Sequence, residues 1–194
     1  MHTFDFERFE RDFRDACIAG VRLLVERYNS VPFYALCIYS DSFDGCFALY
    51  ANTHADFEEQ LLYYQEKFPD SYHLDDKIKN LKYNCGDWKY QSVGEPPKDF
   101  HECISNVLDT WEREVYELSY RRNALTERDY QAFEEIACRI ALSSELRSEV
   151  ERLNRTDDFA VTVSNHDEPS LASIERPRWY SRFGSLNGFD PMDC

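Results

Sequence analysis

The chain has 194 residues, of which 43% are apolar and 15% aromatic, and 37 acidic against 22 basic side chains give a net charge of −15. This length and composition predict a single domain, 1–194, whose last residues (about ten) form a flexible tail. The excess of acids argues against nucleic acid and anionic membranes as partners, because phosphate binding depends on Lys and Arg. A basic protein is the partner that this charge favours, although an acidic surface also serves solubility alone.

Nothing in the sequence predicts export or membrane insertion. The N-terminus is charged from residue 5 onward and lacks the apolar stretch of a signal peptide. No window approaches 18 apolar residues. The seven cysteines are odd in number and scattered, with no C-x-x-C pair, which is typical of free thiols in a reducing compartment. We therefore expect a cytoplasmic protein.

The first predicted elements are a helix over residues 5–28 and a β-hairpin. The helix is indicated by apolar residues at steps of three and four. Two runs of β-forming residues, 33–39 and 46–51, flank a connection that contains Asp44-Gly45, which is typical of an antiparallel hairpin. Both runs are almost continuously apolar, so we expect them to be central strands of the sheet.

A second helix is predicted to begin at Thr53, with Asp56 completing a capping pattern, and to end at Pro69. We expect 69–80 to be a surface loop. The next stretch, 81–93, has enough alternation to predict a third strand with a turn at 84–86, followed by a break at 94–97.

The second half of the chain is predicted to be mainly helical. Asp99 with Glu102, and Thr126 with Asp129, mark two helix starts. Ser143-Ser144 interrupts before a short helix that reaches Leu153, and 159–163 predicts a late strand that returns to the same sheet. This order predicts an α+β fold: a mainly antiparallel sheet containing a central hairpin, with several helices packed against it.

No pattern in the sequence indicates catalysis, a metal or a cofactor. The five histidines do not pair at metal-ligand spacing. His101 and Cys103 would point to different sides of a helix, and with Cys85 they still lack a compact fourth ligand for zinc. Phosphate-cradling loops and the G-x-S-x-G motif are absent. A site in which folding brings a Cys and a His together remains an alternative.

The densest acidic region is 40–70, where Lys67 is the only base against seven acids. Carboxylates accelerate the encounter with a basic protein, and aromatic side chains prolong the contact. The alternative is a solvated helix face without a partner. The predicted partner-binding residues are Asp41, Asp44, Asp56, Glu58, Glu59, Tyr63 and Glu66.

Several short segments resemble a bacterial family of domains of unknown function, numbered four-three-zero-three. They are Phe33–Tyr39, Phe47–Thr53, Asp87–Tyr90, Phe159–Val163 and Ser185–Asn187. The resemblance covers most of the chain and supplies no catalytic residues. It implies a bacterial cytosolic protein whose relatives include candidate immunity proteins beside polymorphic toxin genes.

Three functions remain open from the sequence. The first is a non-catalytic protein-binding role, most concretely an immunity protein that neutralises a basic toxin domain. The second is a homo-oligomeric scaffold or regulator, and the third is a small enzyme with a folded-together Cys/His site.

Overall fold

A computed structural model describes residues 4–92, 98–166 and 168–194. The predicted first helix is confirmed as α1, Phe6–Arg27, and the Asp5 side chain caps it by accepting from the Arg8 backbone N–H at 3.0 Å. Its buried face includes Phe9 and Phe13, which pack on the sheet.

The predicted hairpin is confirmed as β1, Phe33–Asp41, and β2, Cys46–Thr53, paired antiparallel with Asp41 opposite Cys46 at the turn. The strand order is β3-β2-β1-β4, so both hairpin strands are interior, as their apolar sequences predict. Both are almost completely buried.

The prediction of a long third strand over 81–93 is wrong. Residues 85–87 form a single 3₁₀ turn, and β3 is only Tyr90–Gln91, paired with the end of β2. The physical reason is that residues 83–88 pack on the face of the sheet, so only Tyr90–Gln91 pair with β2 at its edge. The Trp88 indole N–H donates to the Lys82 carbonyl at 3.1 Å, and the Tyr34 hydroxyl donates to the same oxygen.

The prediction of a loop over 69–80 is also wrong in its second half. The second helix, α2, spans His54–Lys67, and a further helix, α3, spans Asp75–Lys82. The helix α3 has few apolar residues, but acids occupy its first turn and lysines its last, which matches the helix dipole.

The late strand is β4, Arg155–Ser164, which is longer than predicted and lies beside β1 in parallel. The β1–β2 and β2–β3 pairings are antiparallel, so the sheet is mixed but mainly antiparallel. The α+β prediction is thereby confirmed. Because a parallel neighbour needs a long crossover, the helices between β3 and β4 provide the connection.

These helices are α4, Lys98–Tyr116, continued by a π-helical turn over Glu117–Arg121, then α5, Glu127–Leu142, and α6, Ser144–Val150. The predicted capping box of Thr126 and Asp129 is confirmed, and Ser143 separates α5 from α6. The predicted break at 94–97 and the side chains of Asp99 and Glu102 lie outside what the structure describes. The last helix, α7, spans Ala172–Phe183 and packs on β4.

The two faces of the sheet are covered unequally. One face and the helices α1, α4, α5 and α6 contribute to the main core, whose aromatic centre contains Phe9, Phe47, Trp111 and Phe133. The other face has a smaller cluster that is covered by residues 83–88 and by Phe57 of α2. Among the described residues, no helix combines the length and the apolar composition that crossing a bilayer requires.

Candidate protein-binding surface

The helix α2 lies on the thinly covered side of the protein and buries none of its residues completely. Its inner face is partly buried: the Phe57 ring packs on Tyr34, with 6.3 Å between ring centroids, and the Tyr64 hydroxyl donates to Asp87 at 3.0 Å. The inner face of α2 therefore packs on the protein, and the rest of the helix is exposed to solvent.

The outer face of α2 combines exposed apolar and acidic side chains. Glu59, Leu62, Tyr63 and Glu66 are separated by three and four residues and therefore share one side of the helix. Leu62 is 67% exposed and Tyr63 is 54% exposed. Together with Glu58, which is also exposed, these residues form what we call the α2 face.

The carboxylates of the α2 face outnumber the basic side chains near them. Within residues 4–92, 98–166 and 168–194, the side chains of Glu58, Glu59 and Glu66 form no ion pair or hydrogen bond. The nearby ammonium of Lys67 donates to the Tyr63 hydroxyl at 3.0 Å. Lys89 also interacts electrostatically with Glu59, but it is paired with Asp56, so the three carboxylates still leave this helix face negative.

Asp56 has a different role from the other acids of α2. Its carboxylate accepts from the Thr53 hydroxyl at 2.6 Å and pairs with the Lys89 ammonium at 2.6 Å. The hydrogen bond to Asp56 raises the pKa of Lys89. Asp56 therefore takes part in the N-terminal cap of α2 and, through Lys89, holds this helix to the segment before β3.

A shallow concavity of about 540 Å³ lies between α2 and residues 87–89. Three of the predicted residues line it, namely Asp56, Glu59 and Tyr63, and the same wall includes Asp87 and Lys89. The Asp87 carboxylate accepts from the Tyr64 hydroxyl and from the Asn84 amide. The Glu59 carboxylate, in contrast, forms no ion pair within the described residues and adds negative charge to the concavity. The concavity extends the α2 face inward toward the sheet.

Asp41 and Asp44 are at the hairpin turn, whereas α2 begins at the opposite end of β2. The seven residue steps between these ends correspond to roughly 23 Å of strand. Asp41 is only 2% exposed, and Oδ1 of its carboxylate accepts from the backbone N–H groups of Phe43 and Asp44. Asp44 is exposed and accepts from the Tyr120 hydroxyl. The structure thus groups Glu58, Glu59, Tyr63 and Glu66 but leaves the turn acids apart from the start of α2.

The described cysteines give little support to a thiol nucleophile. Burial raises the pKa of Cys46 and of Cys138 to about 12, so both thiols are protonated at neutral pH. Burial also raises the pKa of Cys17 strongly. The side chains of His101 and Cys103 lie outside the described residues.

Sequence reasoning missed Leu62, Asp87 and Lys89 as parts of this surface. Leu62 is one helical turn beyond Glu58, so a helical projection of the predicted α2 would have placed it on the acidic side. The sequence predicts a strand over Asp87 and Lys89, and only the packing of residues 83–89 beside α2 reveals their position.

The fold and this surface define an α+β protein with an exposed acidic helix at one side of its sheet. A family model described as a domain of unknown function, DUF4303, matches residues 13–176. The chain belongs to this family, which confirms the resemblance seen in its sequence. The family description names no activity. No curated protein and no solved structure matches the chain.

Proposed function

We propose that this protein binds a basic protein through the α2 face. The observation that carries the proposal is the exposure of Leu62 and Tyr63 among carboxylates that form no ion pair within the described residues. Apolar and aromatic side chains surrounded by one sign of charge are typical of interfaces: the aromatic group supplies contact area, and the charges select the partner.

The net charge of −15 supports the same partner chemistry. A strongly negative protein attracts a positive one over several ångströms, and the acceleration of the encounter falls as salt screens the charges. The basic partner is most concretely a toxin domain, and the present chain would then be the immunity protein that neutralises it.

The first prediction concerns charge reversal on α2. The partner to test is the product of the neighbouring gene, and its affinity for the full chain is measured by isothermal titration calorimetry. We expect Glu58→Lys with Glu59→Lys to weaken binding by at least about tenfold, because each substitution places a positive charge against a positive partner.

The matched control is Asp15→Lys with Glu26→Lys on α1. These two acids are also exposed and helical, and they form no ion pair in the described chain. Their substitution changes the net charge by the same amount as the substitutions on α2. If the two double variants weaken binding equally, only net charge matters and the α2 face is not the interface. If the unaltered chain does not bind the partner at all, the proposal fails for that partner chemistry.

A further inference from the structure

The parallel pairing of β4 with β1 brings two distant segments to one edge of the sheet. The last paired residues are Tyr39 and Ser164. Extending this register by two residues sets Asp41 opposite His166. Because side chains alternate along a strand, Asp41 lies on the same face as Tyr39. The topology therefore places a carboxylate and an imidazole side by side at the end of the two strands.

The hairpin turn adds a second carboxylate to this pair. Asp41 Oδ1 accepts from the backbone N–H of Phe43 and of Asp44, at 3.1 Å each, and these bonds fold the turn back toward the strand end. As a result, one oxygen of Asp41, one oxygen of Asp44 and one ring nitrogen of His166 all lie within 4.8 Å of one another.

We propose that Asp41, Asp44 and His166 bind one divalent metal ion. Ions of this class bind carboxylate oxygen and imidazole nitrogen at roughly 2.0–2.3 Å, so donors of one ion are separated by at most about 4.6 Å. The 4.8 Å limit on the separations of the three donor atoms lies close to this range, and an ion bound by all three would draw them closer together. Two carboxylates and an imidazole suit Mn²⁺ or Zn²⁺, and the exposed Asp44 and His166 leave the cluster open to solvent ligands.

The charge balance of the cluster favours a cation. In the part of the chain that the structure describes, neither Asp41 nor Asp44 forms an ion pair with Lys or Arg. Asp41 is 2% exposed, and two neighbouring carboxylates repel each other at this partly buried position. A bound divalent ion would compensate both charges.

The segment that carries His166 is held on both sides. Before it, the Asn165 amide donates to Glu134 of α5 at 2.6 Å. After it, Glu168 accepts from the buried guanidinium of Arg176. A ligand whose neighbours are fixed in this way loses little conformational entropy on binding, as a metal site requires.

The test measures Mn²⁺ binding to the chelator-treated full chain without an affinity tag. Mn²⁺ is the sharper probe because thiolates prefer softer ions, and seven cysteines would complicate a Zn²⁺ titration. The electron paramagnetic resonance signal of free Mn²⁺ gives the affinity and the number of sites. We expect one site, weakened at least tenfold by His166→Ala and by Asp44→Asn. The second substitution removes the charge but keeps an amide oxygen that can accept from the Tyr120 hydroxyl.

His73→Ala is the control, since His73 is an exposed histidine in the turn before α3 and should leave binding unchanged. A parallel readout is thermal unfolding, in which Mn²⁺ should raise the transition temperature of the unaltered chain and of the His73 variant but not of the His166 variant. The proposal is overturned if Mn²⁺ stays free, or if both ligand variants bind as tightly as the unaltered chain. If Asp44→Asn prevents folding, Mn²⁺ binding by the His166→Ala variant decides the test, because His166 is exposed and its substitution should not affect folding.

Discussion

At the scale of single residues, Gly45 shows how closely the hairpin turn approaches α4. Its φ of +70° is in the left-handed region, and a Cβ atom there would lie 2.9 Å from the Glu112 carbonyl oxygen. Gly184 has almost the same φ, +69°, but a Cβ atom would meet nothing within 4 Å. The two positions therefore separate backbone strain from steric contact.

We predict that Gly45→Ala destabilises the protein more than Gly184→Ala. The left-handed conformation costs alanine about 1–2 kcal/mol at either position, and the contact with α4 adds about 1–3 kcal/mol at Gly45 only. Urea unfolding followed by circular dichroism measures both losses of unfolding free energy. Equal losses would show that the turn can move away from α4 without cost.

At the scale of elements, Asp158 connects the start of α2, the end of α3 and β4. Its carboxylate contacts the His54 ring at 3.0 Å, the Lys82 ammonium at 2.8 Å and the Thr156 hydroxyl at 2.7 Å. The hydrogen bond from Lys82, followed by those from His54 and Thr156, holds the pKa of Asp158 well below its usual range. These contacts hold the start of α2 and the end of α3 against β4.

We predict that Asp158→Asn lowers the free energy of unfolding by about 1 kcal/mol at pH 7, a value reduced for solvent screening because the side chain is 46% exposed. Since the folded pKa lies below that of the unfolded chain, about 3.9, this stabilisation is complete above that pH and is lost as the pH falls through the folded value.

The measurement for Asp158 is urea unfolding of the unaltered chain and the variant at pH 7 and pH 3. We expect the difference between them to shrink at pH 3. Asp157→Asn is the control, because Asp157 is exposed and forms no ion pair in the described chain. A difference that stays constant with pH would mean that the charge of Asp158 is not what stabilises this junction.

The predictable parts of this fold are those whose signals are local. The capping residues Thr53 and Thr126 are followed by apolar residues at helical spacing, and each marks a real helix start. The hairpin was predictable because both strands and the Asp44-Gly45 turn are contiguous. In contrast, α3 has too few apolar residues for periodicity to reveal it, and its lysines and acids match the composition of a loop.

The candidate sites divide in the same way. Glu58, Glu59, Tyr63 and Glu66 follow one another on a single helix, so their common exposure could be anticipated. The cluster of Asp41, Asp44 and His166 depends on a parallel pairing between strands that are far apart in the chain, which spacing alone cannot indicate. For this reason, the spacing of the histidines in the sequence does not predict the proposed metal site.

At the scale of the whole molecule, the buried Arg176 of α7 joins its own helix to α5 and β4. It is completely buried in α7, where it donates to the Val163 carbonyl of β4 at 2.9 Å and pairs with Glu134 of α5 at 3.4 Å and with Glu168. Burial is the main reason that the pKa of Glu134 is raised, and the charge of Arg176 opposes that rise. One guanidinium thus compensates two poorly solvated carboxylates.

We predict that Arg176→Met destabilises the protein by about 3 kcal/mol at pH 7, because it leaves both carboxylates without their partner. Removing the positive charge raises the pKa of Glu134 further above that of the unfolded chain. A carboxyl group with a raised folded pKa costs stability as the pH rises, so the loss should be smaller at pH 5 than at pH 7.

Urea unfolding at the two pH values tests this prediction, and Arg176→Met combined with Glu134→Gln and Glu168→Gln should recover part of the loss at pH 7. The control is Arg178→Met, which removes an exposed arginine paired with Glu175 and should cost no more than about 0.5 kcal/mol. If the triple variant is no more stable than Arg176→Met, the guanidinium acts through packing against β4 and Phe189. Charge compensation would then not be what joins α7 to α5 and β4.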